Sequence, residues 1–433
     1  MHILFRAFIS PVFIAGMALL LPGCGGGGGT TTAVSPSKTI SVTLTDVLNN
    51  PVANVLVQLD QNGATATTNA SGIATFSGIA TGAHDIHMFP AAGSGFQWES
   101  IYQTTAGTVQ WVMSKNESSY VEFTGTLSNY AGTTLQLLLE DATYGQGFQK
   151  YCTVTGASYT CSVQADGIPT GSSGSFNLWA LEHNAAGDVT DAVKLRDKST
   201  YTVTTTAQGG TAVTQNITFN AVKPATSNLL TVDTVTPPAG VTVQHISGFM
   251  PVPLTGAFMG STAAFGTPIV AYDPFPSGSG AWTFLDDAVG STVTWGRFIK
   301  STPGASIAAS TSSITSLPVI APQIATGQSN YKITFTPANG ISTYHQLTIQ
   351  NSTATKTLWN ISLPSSATSA TLPTIPASVT AILTSGASYK MQLAGAEIGT
   401  VNYEQVIAGQ YDPTYLSYSD IEVVYSSTVN LTR

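Results

Sequence analysis

The chain has 433 residues, 42% of them hydrophobic and only 8% charged, with a formal net charge of −8. An average soluble protein carries about 25% charged residues, so this surface is solvated mainly by Ser and Thr hydroxyls. The negative balance and the lack of any Lys/Arg cluster exclude a nucleic-acid-binding surface, the apolar content excludes a disordered chain, and the length predicts three or four domains.

In chain order, Arg6 is the single Lys or Arg ahead of an apolar run from Val12 to Leu21. That run is too short to cross a bilayer, which takes about 20 residues, and reads as the core of an export signal over residues 1–23. It ends in Leu20-Leu21-Pro22-Gly23-Cys24, which resembles the lipobox of bacterial lipoproteins, with Pro22 departing from the usual small residue. The resemblance implies that Cys24 becomes acylated and then N-terminal after cleavage, so that its partner is membrane lipid. An ordinary cleaved signal would instead leave Cys24 as a lone exposed thiol. The lack of Asp after Cys24 resembles an outer-membrane sorting signal, should the cell have two membranes. Residues 24–37, Cys24 followed by five glycines and a Thr/Ser/Pro-rich run, are a flexible tether spanning on the order of 20 Å. The expected location is therefore the cell envelope, by lipid anchor after export.

From Thr39 the pattern alternates with period two, the signature of half-buried strands. Ile40, Val42 and Leu44 share one face, as do Val55, Val57 and Leu59, and Asn62-Gly63 predicts a hairpin between Val55–Asp60 and Ala64–Thr68. The stretches Asn49-Asn50-Pro51-Val52-Ala53-Asn54-Val55, Thr68-Asn69-Ala70-Ser71-Gly72-Ile73-Ala74-Thr75-Phe76 and Gly78-Ile79-Ala80-Thr81-Gly82 resemble the carboxypeptidase-regulatory-like or transthyretin-like family. The bacterial Ig-like repeats of invasins are a less close match. The resemblance covers residues 38–114 and implies a β-sandwich module, in a family that is mostly non-catalytic and in part associated with carbohydrate. His84 stands where that family usually has an aromatic residue.

Residues 115–220 predict a second sandwich, with strands at Tyr120–Leu127, Thr134–Leu139, Ser175–Glu182, Tyr201–Thr206 and Val213–Phe219. Within it, a two-residue turn at Gly156-Ala157 aligns Thr155 with Ser158, Val154 with Tyr159, Thr153 with Thr160 and Cys152 with Cys161. The cysteines then form a non-hydrogen-bonded pair with Cα atoms about 4.5 Å apart, within reach of a disulfide. Two buried thiols, or half of a metal site, are the rival readings. Residues 221–328 predict a further β domain, with strands at Val241–Gln244, Ile269–Tyr272, Ala281–Leu285 and Thr292–Phe298, and a Ser/Thr/Pro-rich linker over Ser301–Gln328. Residues 329–433, with Leu383-Thr384-Ser385-Gly386-Ala387-Ser388-Tyr389 followed by Met391 and Leu393, resemble a fibronectin type III domain. That resemblance implies that the Tyr389 hydroxyl bonds back to the preceding turn. The expected fold class is all-β, tandem Ig-like sandwiches behind a signal and tether.

The residues that could carry chemistry are few. No G-x-S-x-G, H-E-x-x-H, P-loop or EF-hand spacing occurs, so neither an enzyme nor a cofactor is expected. His84 and His87 point to opposite faces if they lie on one strand, as do Asp286 and Asp287 beside Trp282. Glu182, Asp188 and Asp191 flank a turn at Ala185-Ala186-Gly187, and read as turn residues or as oxygen ligands for calcium. Trp98 and Tyr102 fall in a loop-like stretch, Phe96 to Tyr102, where a ring could stack on a sugar or a partner; core packing is the competing use. The sequence thus predicts a non-catalytic, membrane-anchored binding, adhesion or scaffold module, with a surface glycan or envelope protein as partner and no nucleic acid. Its alternatives are a carbohydrate-binding accessory protein and an extracellular hydrolase with its site near Asp273, Asp286 or His245.

Overall fold

The computed structural model describes residues 37–432 apart from 48–49, 117, 142–145, 167–169, 172, 186–188, 203–209, 224–227, 233–234, 242–244, 253–254, 259–267, 272–280, 290–291, 302–305, 308–309, 322, 325–330 and 410–419. Cys24 and its tether lie outside the described residues. Within them the chain is strand almost throughout, and one short helix, Tyr403–Ile407, is capped reciprocally by Asn402 and Gln405. Alternating apolar residues dictate the strands: Ile40, Val42 and Leu44 are fully buried along Ser37–Asp46, and Val55, Val57 and Leu59 face the same core.

One long sheet organises the molecule. Its strands follow the order Thr255–Phe258, His245–Val252, Ala281–Val289, Thr292–Ser301, Asp420–Tyr425, Ser388–Ile398, Tyr344–Asn351, Thr357–Pro364, Trp98–Thr104, His84–Phe89, Leu56–Leu59 and Thr65–Thr67. A three-stranded sheet of Ile73–Ala80, Ser37–Asp46 and Thr108–Met113 covers one face. The other face is covered by Val319–Ile320, Lys332–Thr336 and Ser369–Thr371. The first core gathers Val42, Val57, Ile101, Tyr344, Ala396 and Ile407. The second gathers Trp98, Trp359, Ile349, Leu393, Phe335 and Leu372. Each fully buried aliphatic side chain of this kind stabilises by about 1.5–3 kcal/mol.

Segments 38–114 and 329–433, expected as separate sandwiches, therefore share one sheet and both of its cores. The join is the parallel pairing of Trp98–Ile101 with Trp359–Ser362. It is stitched from the C-terminal side: Tyr403 donates its hydroxyl to Tyr102 O (2.7 Å), and Glu404 accepts from Thr104 Oγ1 (2.7 Å) and from the backbone N–H groups of Thr105 (2.9 Å) and Ala106 (3.1 Å). The stretch 301–328 also departs from the linker expected of it. Ile320 belongs to the second core, Ile314 is buried, and Gln323–Ile324 pairs in parallel with Val429–Thr432. Composition indicated a linker because short edge strands need little apolar sequence.

Residues 118–220 form their own body, a curled sheet ordered Val189–Thr202, Ser173–His183, Thr134–Asp141, Gln146–Thr155, Ser158–Asp166, Ser118–Ser128 and Val213–Thr214. Its core holds Phe123, Leu137, Tyr159, Phe176 and Ile217. Gly125 is required where Gln215 crosses it, because a Cβ there would stand 2.0 Å from Gln215 O. The predicted hairpin register holds residue for residue, from Thr155↔Ser158 to Thr153↔Thr160, and Cys152 and Cys161 are disulfide-bonded with Cα atoms 4.6 Å apart. Local chemistry at residues 383–389 is likewise as expected: Thr384 N–H donates to the Tyr389 hydroxyl at 2.6 Å. In the first sandwich, Gly72 holds φ +74° where its carbonyl accepts from Leu44 N–H at 2.8 Å.

A chain ending at Lys115 would leave the Trp98–Thr104 strand as an open edge and strip Phe89 and Trp98 of Trp359. Residues 38–115 alone are expected to show no cooperative thermal transition by circular dichroism and to bind a hydrophobic dye. A sharp melt would show that this segment folds without its C-terminal partner.

Candidate functional site

Trp98 and Tyr102 are not surface residues. Both lie within the strand Trp98–Thr104, 3% and 4% exposed, on the face that packs into the second core. Trp98 stands edge-on to Phe89 (4.7 Å between centroids) and to Trp359 (5.2 Å). The Tyr102 hydroxyl donates to Thr371 O at 2.6 Å. The loop reading fails because Phe96-Gln97-Trp98 lacks obvious alternation: the strand is buried on both faces, as an interior strand of a covered sheet must be.

The same strand carries the polar groups of the join. Glu99, 3% exposed, faces away from Trp98 and accepts from Asn360 Nδ2 (3.1 Å), which also donates to Gln97 Oε1 (2.8 Å). Gln97 in turn donates to Asn116 Oδ1 (3.1 Å), and Asn116 donates to Thr357 O. Burial pushes the Glu99 carboxyl up to about 8, against the opposing pull of Asn360 and the nearby Trp111 indole. On the aromatic side, His87 shares a 2.9 Å hydrogen bond with Ser100 Oγ, which also accepts from Trp359 Nε1 at 3.0 Å. Burial lowers His87 to about 3 and His345 to about 4. His84 belongs elsewhere, against Asp60 Oδ2 (3.0 Å) and Ala80 O (2.9 Å), so the two histidines of H-x-x-H do not converge.

A second buried cluster closes one end of the curled sheet. Glu182 and Asp191 are direct cross-strand partners on its core side, 1% and 0% exposed. The place between them is taken by Lys223, whose Nζ lies 3.0 Å from Glu182 Oε2, 3.4 Å from Asp191 Oδ2 and 2.8 Å from Asn129 O. Glu182 also accepts from Ala131 N–H (3.0 Å) and Thr190 Oγ1 (2.8 Å). Asp191 accepts from Asn220 N–H (2.7 Å) and Asn220 Nδ2 (2.8 Å). The calcium reading is thereby corrected: the ammonium of Lys223 sits where a cation would, and Asp188 lies outside the described residues. Among the described residues, no group of three or more His, Cys, Asp and Glu side chains is placed to hold a metal ion.

The middle region brings two flagged residues together by register, since His245 pairs with Asp286 across the strands His245–Val252 and Ala281–Val289. Asp287 is paired in register with Trp295. Asp273 lies outside the described residues. Lys223, Asn220, Glu99 and Asn360 were all missed from sequence, where nothing marks them. Lys223 follows its carboxylates by more than thirty residues, and Asn360 is 261 residues from Glu99.

Comparison with protein-family models and with curated proteins gives no match. Solved structures show likeness at low identity. The Bacillus anthracis TIE protein is 9% identical, over 64% of this chain and 50% of that chain, with a TM-score of 0.18. The major pilin subunit BcpA of Bacillus cereus is 9% identical, over 64% and 98%, at 0.17. A Streptococcal ancillary pilin is 15% identical, over 43% and 63%, at 0.17. The chain spans half the length of the anthrax protein it matches. These are likenesses of all-β architecture alone.

Trp98→Ala is expected to destabilise by about 3–5 kcal/mol in urea denaturation, as removal of a core aromatic does. Destabilisation by less than ~1 kcal/mol would return Trp98 to the surface. The titrating groups predict a pH profile. Glu99, protonated in the fold and ionised when unfolded, withdraws stability as pH rises from 4.5 to about 8. His87 and His345, held neutral, withdraw it as pH falls below 6.5. Each group contributes a slope of about 1.4 kcal/mol per pH unit inside its window. Two histidines outweigh one glutamate below 6.5, so the contribution of these three groups is greatest near pH 6.5. Glu99→Gln should flatten the decline between pH 6.5 and 8 in chemical denaturation series; an unchanged decline would place its origin elsewhere.

Proposed function

We propose that the chain is an exported lipoprotein, held to the cell envelope through acylated Cys24, whose interlocked β-sandwiches bind or scaffold outside the membrane without catalysing a reaction. The observation that carries this reading is the Leu20–Cys24 motif behind a short apolar run, followed by a glycine tether. The Cys152–Cys161 disulfide supports it, because such bonds persist in oxidising compartments. Among the described residues, no helix is long and apolar enough to cross a membrane. In this reading residues 38–114 are carboxypeptidase-regulatory-like and residues 329–433 fibronectin-type-III-like, supported by the Gly72 turn and by the hydrogen bond from Thr384 to Tyr389.

The glycan-binding alternative loses its two residues, since Trp98 and Tyr102 are committed to the core. A hydrolase reading keeps one supporting observation, the pairing of His245 with Asp286. It needs a nucleophile or an activated water beside that pair.

Growth of the source cell with an alkyne-tagged fatty acid should label the protein, and Cys24→Ser should abolish the label and release the chain into the soluble fraction. An unlabelled wild type that is freely secreted would overturn the anchor. Turnover of a hydrolysable substrate by the purified ectodomain, lost in His245→Ala, would replace the non-catalytic reading.

A further inference from the structure

The Lys223 cluster holds an amine against two carboxylates inside a protein, and its geometry is more than an ion pair needs. Two anions, Glu182 and Asp191, are withdrawn from water almost completely, while one ammonium serves both. Buried ions carry a desolvation penalty that pairing seldom repays in full. Here one anion remains in excess. Condensing the ammonium with one carboxylate would delete a positive and a negative charge together and leave a neutral amide and a single acid.

We propose that Lys223 and Asp191 form an intramolecular amide, with Glu182 as the proton carrier. Glu182 takes a proton from Lys223 Nζ, from which its Oε2 is 3.0 Å away. Glu182 hands that proton to the Asp191 carboxylate, and the freed lone pair attacks Cγ of the resulting neutral acid. The Nζ–Cγ bond forms, the developing oxyanion faces the Asn220 donors that contact both Asp191 oxygens at 2.7 and 2.8 Å, and Glu182 carries a second proton from Nζ to the departing oxygen, so that the Cγ–O bond breaks and water leaves. The net change is an ammonium and a carboxylate converted to an amide and one water, with no oxidant, reductant or activating nucleotide.

The surroundings favour that outcome. The amine also donates to Asn129 O at 2.8 Å and lies over the Phe219 ring, 5.3 Å from its centroid. Fixed proximity of this kind raises the effective concentration of a reacting pair by many orders of magnitude. Donors already aimed at the carboxyl oxygens need no reorganisation as charge develops there. Asp191 is the acyl partner rather than Glu182 because both of its oxygens accept from one residue, Asn220, while Glu182, held by Thr190 and Ala131, stands nearer the amine, as a proton carrier must. Lys223 keeps 30% of its side chain exposed, which gives the released water a way out. The bond would tie the segment following Ile217–Thr218 to the strand Val189–Thr202, closing the end of the curled sheet opposite in sequence from its disulfide. It stands or falls independently of the lipid anchor.

The test is the intact mass of the full mature chain, purified without reductant. The expected mass is lower by one water than the sequence with one disulfide requires, and digestion should release a branched peptide joining Lys223 to Asp191. Glu182→Gln and Lys223→Arg should both appear at the full mass, and Lys223→Arg keeps the positive charge, so that loss of the bond is not confused with loss of folding. A wild type at full mass after prolonged incubation, or a branch on Glu182 instead, would overturn the proposal.

Discussion

Everything in the architecture depends on the parallel junction between Trp98–Thr104 and Thr357–Pro364. Parallel strands cannot be joined by a tight turn, and here the connection passes through some 250 residues of other structure before it returns. The junction is held differently on its two faces. One face is an aromatic contact of Trp98, Trp359 and Phe89. The other is a chain of buried amides and one carboxyl, Asn116, Gln97, Asn360 and Glu99. Apolar packing supplies the free energy, and the directional hydrogen bonds fix which residue meets which. A slip of one residue would turn Trp98 toward the amides and Glu99 toward the rings.

That junction converts what reads as a row of modules into an interlocked body. The first sandwich contributes four strands to the long sheet, and the C-terminal segment returns the contact through Tyr403 and Glu404. The middle region extends the same sheet beyond Asp420–Tyr425. Residues 118–220 are the exception, with a core to which, among the described residues, only Val47 and Val112 are added from the first sandwich, a hairpin disulfide at one place and the cluster around Lys223 at another. Its described strands pair only with one another, and the disulfide and the ion pairs of Lys223 lie within this part of the chain.

The ionisable groups described above share a physical character. Glu99, His87, Glu182 and Asp191 are buried and answered by partners within the chain. Their arrangement serves the coherence of the fold, because each buried charge or ring nitrogen is met by a partner from another strand or segment. A surface of hydroxyls with few charges is consistent with contact made by shape and hydrogen bonding, where long-range electrostatic steering plays little part.

What the sequence determined was local. The hairpin register and its disulfide followed from a two-residue Gly-Ala turn between cysteines nine positions apart. The Tyr389 hydroxyl bond to Thr384, five residues back, is what the resemblance of residues 383–393 to a fibronectin type III domain implied. Alternation located Ile40, Val42, Leu44, Val55 and Val57 in the core. Such features are set by turn chemistry and side-chain period, which act over a few residues. The tertiary structure alone decided that Trp98 and Tyr102 are core, that Lys223 lies between Glu182 and Asp191, and that the two ends of the chain share a sheet. Those outcomes depend on which strand edges and faces remain to be covered once the local pieces exist. That choice is made between segments hundreds of residues apart, and no local pattern encodes it.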